Sequence, residues 1–212
     1  MGRTKERKPA LLALDLEGIL VPEIWISVAE GLGVEELRLT TRDIPDYDRL
    51  MKNRLRLLDE RGILLPHIQA VIGRMEPYEG ARDFLRWAMG RVPVVILSDT
   101  YYDFAMPLVE KLGFPPLFCN TLEVNADNRI VGYTLRQQDG KRKAVMAFKA
   151  LGFRTAAVGD SYNDTGMLSE ADLGILFRPP DNVKREFPGF KVFEEYEGLA
   201  AFLAVFFARR DG

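Results

Sequence analysis

LLALDLEGILVPEIW, residues 11–25, runs from an apolar stretch, Leu11 to Leu14, straight into two carboxylates, Asp15 and Glu17, beside Gly18. The apolar stretch reads as a buried strand, and a carboxylate at such a place costs several kcal/mol unless a cation completes it. Another part of the chain must therefore deliver positive charge to the end of this strand.

From Glu79 onward, apolar runs of strand length alternate with segments of helical period. VPVVILSD (92–99), RTAAVGD (154–160) and LGILF (173–177) are the strand-like runs, each ending at polar turn residues. GARDFLRWAMG (80–90), YDFAMPLVEKLG (102–113), KRKAVMAFKALG (141–152) and EGLAAFLAVFFARR (197–210) read as helices, several stopped by a glycine just past the last turn. This alternation predicts an α/β fold, a Rossmann-like, doubly wound and mostly parallel sheet. TLEVNADNRIVGYTLR (121–136) reads as two strands joined by an Asn/Asp-rich turn.

Residues 22–76 differ. IWISVAEGLG (24–33), YDRLMKNRLRLLDERG (47–62) and LPHIQAVIGRM (65–75) carry helical periodicity with no convincing strand. The expected organisation is a core of residues 10–21 and 77–212, a helical cap of residues 22–76 inserted after the first strand, and a disordered extension over residues 1–9.

Composition narrows the function. The 212 residues carry 29 Lys and Arg against 31 Asp and Glu, a net charge of -2, so no basic footprint for nucleic acid exists and any anionic ligand needs a local site. One cysteine, Cys119, and one histidine, His67, exclude a disulfide scaffold and a Cys/His zinc site, and they fit a reducing, cytoplasmic setting. The start, MGRTKERKPA, is neither a signal peptide nor a membrane span. Cys119 reads as a small buried hydrophobe and His67 as structural or exposed. AAFLAVFFARR (200–210) is too short to span a membrane and reads as core packing or a homodimer face.

Open parallel sheets bind ligands beyond the carboxyl ends of their strands, where loop amides and helix N-termini converge. Three strands here end in Asp15-Leu16-Glu17-Gly18, in Ser98-Asp99-Thr100 and in Gly159-Asp160-Ser161-Tyr162-Asn163-Asp164, and Lys141-Arg142-Lys143 opens the helix before the last of them. Together they describe a carboxylate-rich pocket: a divalent cation answers Asp15 and Asp160, while a cationic side chain and a hydroxyl hold an anion. Mg2+ suits such a site, because it prefers hard oxygen ligands and tolerates a phosphate oxygen beside one or two carboxylates.

LDLEGILVPEIW, TTRDIPDYD, VVILSDT, GDSYNDTGMLSEA and GILF, in that order from Leu11 to about Glu195, resemble the haloacid dehalogenase-like phosphohydrolases. More closely they resemble the phosphoserine phosphatase and homoserine phosphotransferase family. The resemblance implies a Mg2+-dependent phosphomonoesterase acting on O-phospho-L-serine through an aspartyl-phosphate, with homoserine as a further acceptor. It makes Asp15 the nucleophile and Glu17 the general acid/base, with strand alternation placing the two on one face. Ser98, Asp99 and Asn163 fall at phosphate-binding positions. Asp160 falls at the metal position, with Asp164 in or near the outer shell and with Asp15 and the Glu17 main-chain carbonyl completing the metal's protein ligands.

The phosphate-holding cation lies within Lys141 to Lys143: matching the apolar residues of the following helix favours Arg142, and matching residue type favours Lys141. Arg54 resembles the arginine that forks the substrate carboxylate, and Glu23 the acid that meets its ammonium. Arg54 shares its segment with Lys52, Arg56 and Arg61, so a solvated basic helix face is the competing reading. The chain departs from the wider pattern in having Glu17 for the usual aspartate, Ile19 for a hydroxyl residue, and Asp99-Thr100 where paired glycines are common. A phosphatase for another small ester and a phosphate-binding regulatory module without turnover are the alternatives.

Overall fold

The computed structural model describes residues 8–40, 43–44 and 46–208. Residues 1–7 of the expected extension, residues 41, 42 and 45 of TTRDIPDYD, and residues 209–212 lie outside the described residues.

Strand β1 (Ala10–Leu14) is buried along its whole length, and a strand apolar on both faces belongs in the middle of a covered parallel sheet. It lies between β2 (Val94–Tyr101) and β5 (Arg154–Gly159), pairing with both in parallel. With β3 (Leu117–Val124), β4 (Ile130–Thr134), β6 (Leu173–Phe177) and β7 (Lys191–Phe193), the sheet runs β4-β3-β2-β1-β5-β6-β7. Among the described residues only the β3–β4 pairing is antiparallel, as the Asn/Asp-rich turn required.

The strand period of two divides the core. Leu12 and Leu14 join one apolar cluster, built with α4 (Ala81–Met89), α5 (Tyr102–Lys111) and α9 (Tyr196–Ala208). Leu11 and Ala13 join the other, under α6 (Gly140–Ala150), α7 (Thr165–Glu170) and α8 (Asp181–Glu186). The sheet is thus doubly wound. The aromatic stripe of α9 is core packing: Phe202 meets Phe193 at 5.2 Å and Phe207 meets Trp87 at 6.0 Å between ring centroids. No helix among the described residues is long and apolar enough to cross a membrane.

The segment after β1 is helical, with α1 (Ile24–Leu32), a short 3-10 turn at Glu35–Arg38, α2 (Tyr47–Glu60) and α3 (Leu65–Ile72). Ile24, Val28, Met51, Ile68 and Ile72 belong to the same apolar cluster as Leu12 and Leu14, so the insert and this face of the sheet share one core. Its two connecting segments are tied by Tyr78 N–H donating to Leu20 O at 3.0 Å. The β3–β4 hairpin grips it as well: Leu65 N–H donates to Asn128 O at 2.9 Å, and the Tyr133 hydroxyl donates to Asp48 at 2.8 Å.

Three details depart from the sequence reading. The 1–9 extension is held at its inner end, because Arg154 N–H donates to Pro9 O at 2.9 Å and carries the ladder past β1. Strand β2 runs on to Tyr101, with a register shift between Leu97 and Tyr101, instead of turning at Ser98. Helices α7 and α8, strand β7 and the 3-10 turns at Glu35–Arg38 and Tyr162–Asp164 span six residues or fewer, too short for periodicity to register. Cys119 is buried on β3 and its thiol is pushed up to about 12 by burial, while exposed His67 accepts the Leu64 N–H at 3.1 Å at the start of α3.

Candidate active site

Asp15 follows the last residue of β1 and is only 4% exposed. Its own N–H still donates to Val158 O at 3.0 Å, so the central ladder fixes where the carboxylate starts. Oδ1 accepts from Leu16 N–H at 2.7 Å and lies 2.9 Å from Lys141 Nζ, which leaves Oδ2 with no hydrogen bond among the described residues. The chain then reverses through Gly18, whose φ of +75° favours glycine. A Cβ at Gly18 would sit 2.5 Å from the Asp160 carboxyl carbon, so glycine also lets Asp160 close up beside Asp15.

The loop after β5 is folded around Asp164, which is fully buried. Asp164 Oδ2 accepts from the N–H groups of Asp160 at 3.0 Å and Ser161 at 3.1 Å, and Oδ1 accepts from Lys141 Nζ at 2.8 Å. Gly159 makes room for it, because a Cβ there would lie 2.3 Å from the Asp164 Cβ. Asp15, Asp160 and Asp164 each offer a carboxylate oxygen within 4.8 Å of the others.

Lys141, at 5% exposure, is the cation the opening stretch called for. Burial opposes its charge, but Asp15, Asp164 and Asp99 around it outweigh that penalty and hold the ammonium protonated. Burial first, then the neighbouring Asp164 and Asp160, push the Asp15 carboxyl well above its ordinary range, against the pull of Lys141. Three buried carboxylates gathered this closely present hard oxygen donors, which fit a divalent cation of the magnesium type.

The helix phase of α6 decides the Lys141–Lys143 cluster. Successive residues point about 100° apart, so only Lys141 enters the site. Arg142 is exposed, donating to Glu170 at 3.3 Å and lying 3.8 Å from Asp139, and Lys143 is exposed too. The Arg142 alternative is thereby corrected.

Glu17 does not follow from strand alternation, because β1 ends at Leu14 and residues 16–21 form a tight turn in which Leu20 N–H donates to Leu16 O at 2.8 Å. Its carboxylate, partly buried, caps α1 by accepting the Ile24 N–H at 2.7 Å. Burial, and then Glu23 beside it, push Glu17 up to about 8. That shift favours the protonated form of Glu17 near neutral pH. Glu23 sits partly buried at the start of α1, its main-chain carbonyl accepting the Ser27 hydroxyl at 2.9 Å.

Ser98 is buried near the end of β2, its Oγ accepting Thr100 N–H at 3.2 Å. Asp99 points at the site: its Oδ2 accepts from Asn163 Nδ2 at 3.0 Å and lies 3.6 Å from Lys141 Nζ. Asn163 is exposed, with the Ser161 hydroxyl donating to its Oδ1.

Arg54 is 6% exposed, which overturns the solvated-face reading. Its guanidinium carbon lies 4.3 Å from the centre of the Trp25 ring, and Nη2 donates to Leu39 O at 2.7 Å. Nε is buried with no hydrogen-bond partner among the described residues. Burial lowers the group to about 10, while Tyr47, Glu17, Tyr101 and Glu23 favour its charge. Arg54 is thus near enough to Glu17 and Glu23 to feel their charge.

Sequence reasoning missed the groups that join the insert to the strand ends. The hydroxyls of Tyr47 and Tyr101 lie 2.7 Å apart, and Tyr47 also donates to Asp99 O at 3.4 Å. Asn120 on β3 donates from Nδ2 to Asp99 O at 2.9 Å and accepts Arg136 N–H at 3.0 Å. The TYY run after Asp99 was the available signal, but a pairing across 54 residues has no local periodicity.

The family model for haloacid dehalogenase-like hydrolases matches residues 11–172. Over 189 residues, 89% of this chain, the sequence is 58% identical to phosphoserine phosphatase ThrH of Pseudomonas aeruginosa, covering 92% of that protein. It is also 58% identical to a phosphoserine phosphatase of Pseudomonas syringae pv. tomato, covering 89% of this chain and 80% of that one. Among solved structures, a phosphoserine phosphatase in apo form has a TM-score of 0.74 at 24% identity, covering 93% of this chain and 98% of its own. A phospho-aspartyl intermediate analogue of phosphoserine phosphatase has a TM-score of 0.73 at 21% identity, covering 92% and 99%. At these identities the two structures speak for the fold alone.

Proposed function

We propose, from the premise that this chain belongs to the haloacid dehalogenase-like hydrolases, that it is a Mg2+-dependent phosphomonoesterase that hydrolyses O-phospho-L-serine through an aspartyl-phosphate on Asp15. The observation that carries the reading is the half-committed carboxylate of Asp15: Oδ1 is pinned by Leu16 N–H and by Lys141 at 2.9 Å, and Oδ2 is left to attack. The relatives at 58% identity, both called phosphoserine phosphatases, support the substrate.

In the first step Asp15 Oδ2 attacks phosphorus, the bond from phosphorus to the serine oxygen breaks, and Glu17 gives its proton to that oxygen. In the second step Glu17 takes a proton from water, the water oxygen attacks phosphorus, and the bond to Asp15 breaks. Phosphate leaves, with Asp15 ionised and Glu17 protonated again. Lys141 and the Ser98 hydroxyl hold phosphoryl oxygens, with Asn163 beside them. Mg2+ held by Asp15, Asp160 and the Glu17 main-chain carbonyl would supply positive charge against the phosphoryl oxygens. Asp164, with both oxygens engaged by Lys141 and the loop N–H groups, positions Asp160 and the lysine from behind.

Residues 22–76 act as the cap. Arg54, whose buried Nε has no partner among the described residues, forks the serine carboxylate, and Glu23 meets the ammonium. Transfer to homoserine needs only that its hydroxyl replace water, with Glu17 removing the proton; the likeness of Asp99-Thr100 to the phosphotransferase branch supports it. The lone buried thiol of Cys119 supports a cytoplasmic setting.

Phosphate release from O-phospho-L-serine and a panel of other phosphate esters, with and without Mg2+ and with added homoserine, tests the reading. Turnover of phosphoserine that requires Mg2+ is expected, with phosphohomoserine formed when homoserine is present. Turnover of another ester with phosphoserine ignored would leave the Asp15 chemistry standing and overturn the roles of Arg54 and Glu23.

A further inference from the structure

Asp99 is the acid for which the reaction above has no use. A carboxylate has no hydrogen to donate to a phosphate oxygen, so Asp99 can meet phosphate through its main-chain N–H and not through its side chain. Asp99 also stands farther from Lys141, at 3.6 Å, than Asp15 at 2.9 Å and Asp164 at 2.8 Å. Yet the residue is held firmly. Asn120 Nδ2 donates to its main-chain carbonyl at 2.9 Å, and Asn163 Nδ2 donates to its carboxylate at 3.0 Å. Its side chain keeps 48% exposure while lying 3.6 Å from the ammonium, on the open side of the buried cluster.

A fixed negative charge at that rim acts on whatever approaches Lys141. We infer that Asp99 is a charge-selecting residue: it disfavours inorganic phosphate and esters whose organic part is anionic, and so favours esters whose organic part also carries a cation. The inference rests on the phosphoryl group binding at Lys141, as proposed above. Phosphoserine passes such a filter because its carboxylate is matched by its own ammonium; a phosphorylated hydroxy acid without an amine does not. The same repulsion speeds release of the phosphate product.

Asp99→Asn keeps the shape and leaves the Asn163 amide an oxygen to donate to. The test uses the full chain in Mg2+, wild type against Asp99→Asn. Inorganic phosphate is titrated by thermal shift at low and at 0.5 M salt, and kcat/KM is measured for p-nitrophenyl phosphate, phosphoethanolamine and phosphoglycolate. At low salt the variant is expected to bind phosphate about 5- to 10-fold more tightly, a gain that shrinks in high salt. Its kcat/KM ratio of phosphoglycolate to phosphoethanolamine is expected to rise by a similar factor. An unchanged phosphate affinity, or an unchanged ratio in a variant that still turns over p-nitrophenyl phosphate, overturns the inference. If the wild type turns over no ester, the hydrolase reading fails instead, and the phosphate titration alone then decides the role of Asp99.

Discussion

Replacing Lys141 with methionine removes the ammonium that lies 2.9 Å from Asp15 and 2.8 Å from Asp164 while keeping most of the side chain's volume. All three groups are at most 5% exposed, so solvent cannot take over the compensation. Breaking a buried ion pair by removing one partner costs about 3–5 kcal/mol, because the remaining charge stays buried. For a chain of this size that corresponds to a fall in Tm of roughly 6–20 °C. Urea unfolding in EDTA is the assay, with Arg142→Met as control. Arg142 is exposed and pairs with Glu170 and Asp139 at the surface, so its loss should cost about 0–1 kcal/mol. Saturating Mg2+ should restore part of the Lys141→Met loss and leave the control unmoved, because a divalent cation answers the same carboxylates. A Lys141→Met protein as stable as wild type in EDTA, or one whose deficit is identical with and without Mg2+, would refute the placement of Lys141 at the centre of the acid cluster.

Two further outcomes follow from the site. Arg54→Ala should lower kcat/KM for phosphoserine by about 10- to 100-fold, the worth of a charge-assisted hydrogen-bond pair, and change p-nitrophenyl phosphate turnover far less; an equal loss on both esters would remove Arg54 from carboxylate recognition. Glu17 is raised from 4.5 to about 8, so the folded metal-free protein binds more protons than the unfolded chain between those values, and stability should fall as pH rises through that window. Glu17→Gln should flatten that part of the urea-midpoint profile in EDTA, and an unchanged slope would show that Glu17 does not hold the proton.

Much of this molecule is written locally. Leu11 to Leu14, apolar on both faces, could only be a central strand, and the acids, hydroxyl and glycines at three strand ends marked the site because parallel topology gathers carboxyl ends. Lys141 and Arg142 were indistinguishable on residue type, since both are cations one residue apart; the phase of α6 against the sheet separates them. Arg54 likewise shares its segment with several other basic residues, and only packing against Trp25 shows that it is buried. The Tyr47–Tyr101 pair and the grip of Asn120 on Asp99 depend on the insert closing over the strand ends, which leaves no trace in periodicity. For Asp99, which lies within the register shift of β2 between Leu97 and Tyr101, only the three-dimensional arrangement decides which way the side chain faces.

The most direct test of the central claim is to find the phosphoryl group on the protein. The wild-type enzyme is mixed with O-phospho-L-serine and Mg2+, quenched in acid within the first turnovers, digested, and mapped by mass spectrometry. The expected result is an acyl phosphate on the peptide carrying Asp15, absent from Asp15→Asn, which should also have lost turnover. A phosphoryl group on any other residue, or phosphate release that persists undiminished in Asp15→Asn, would contradict it.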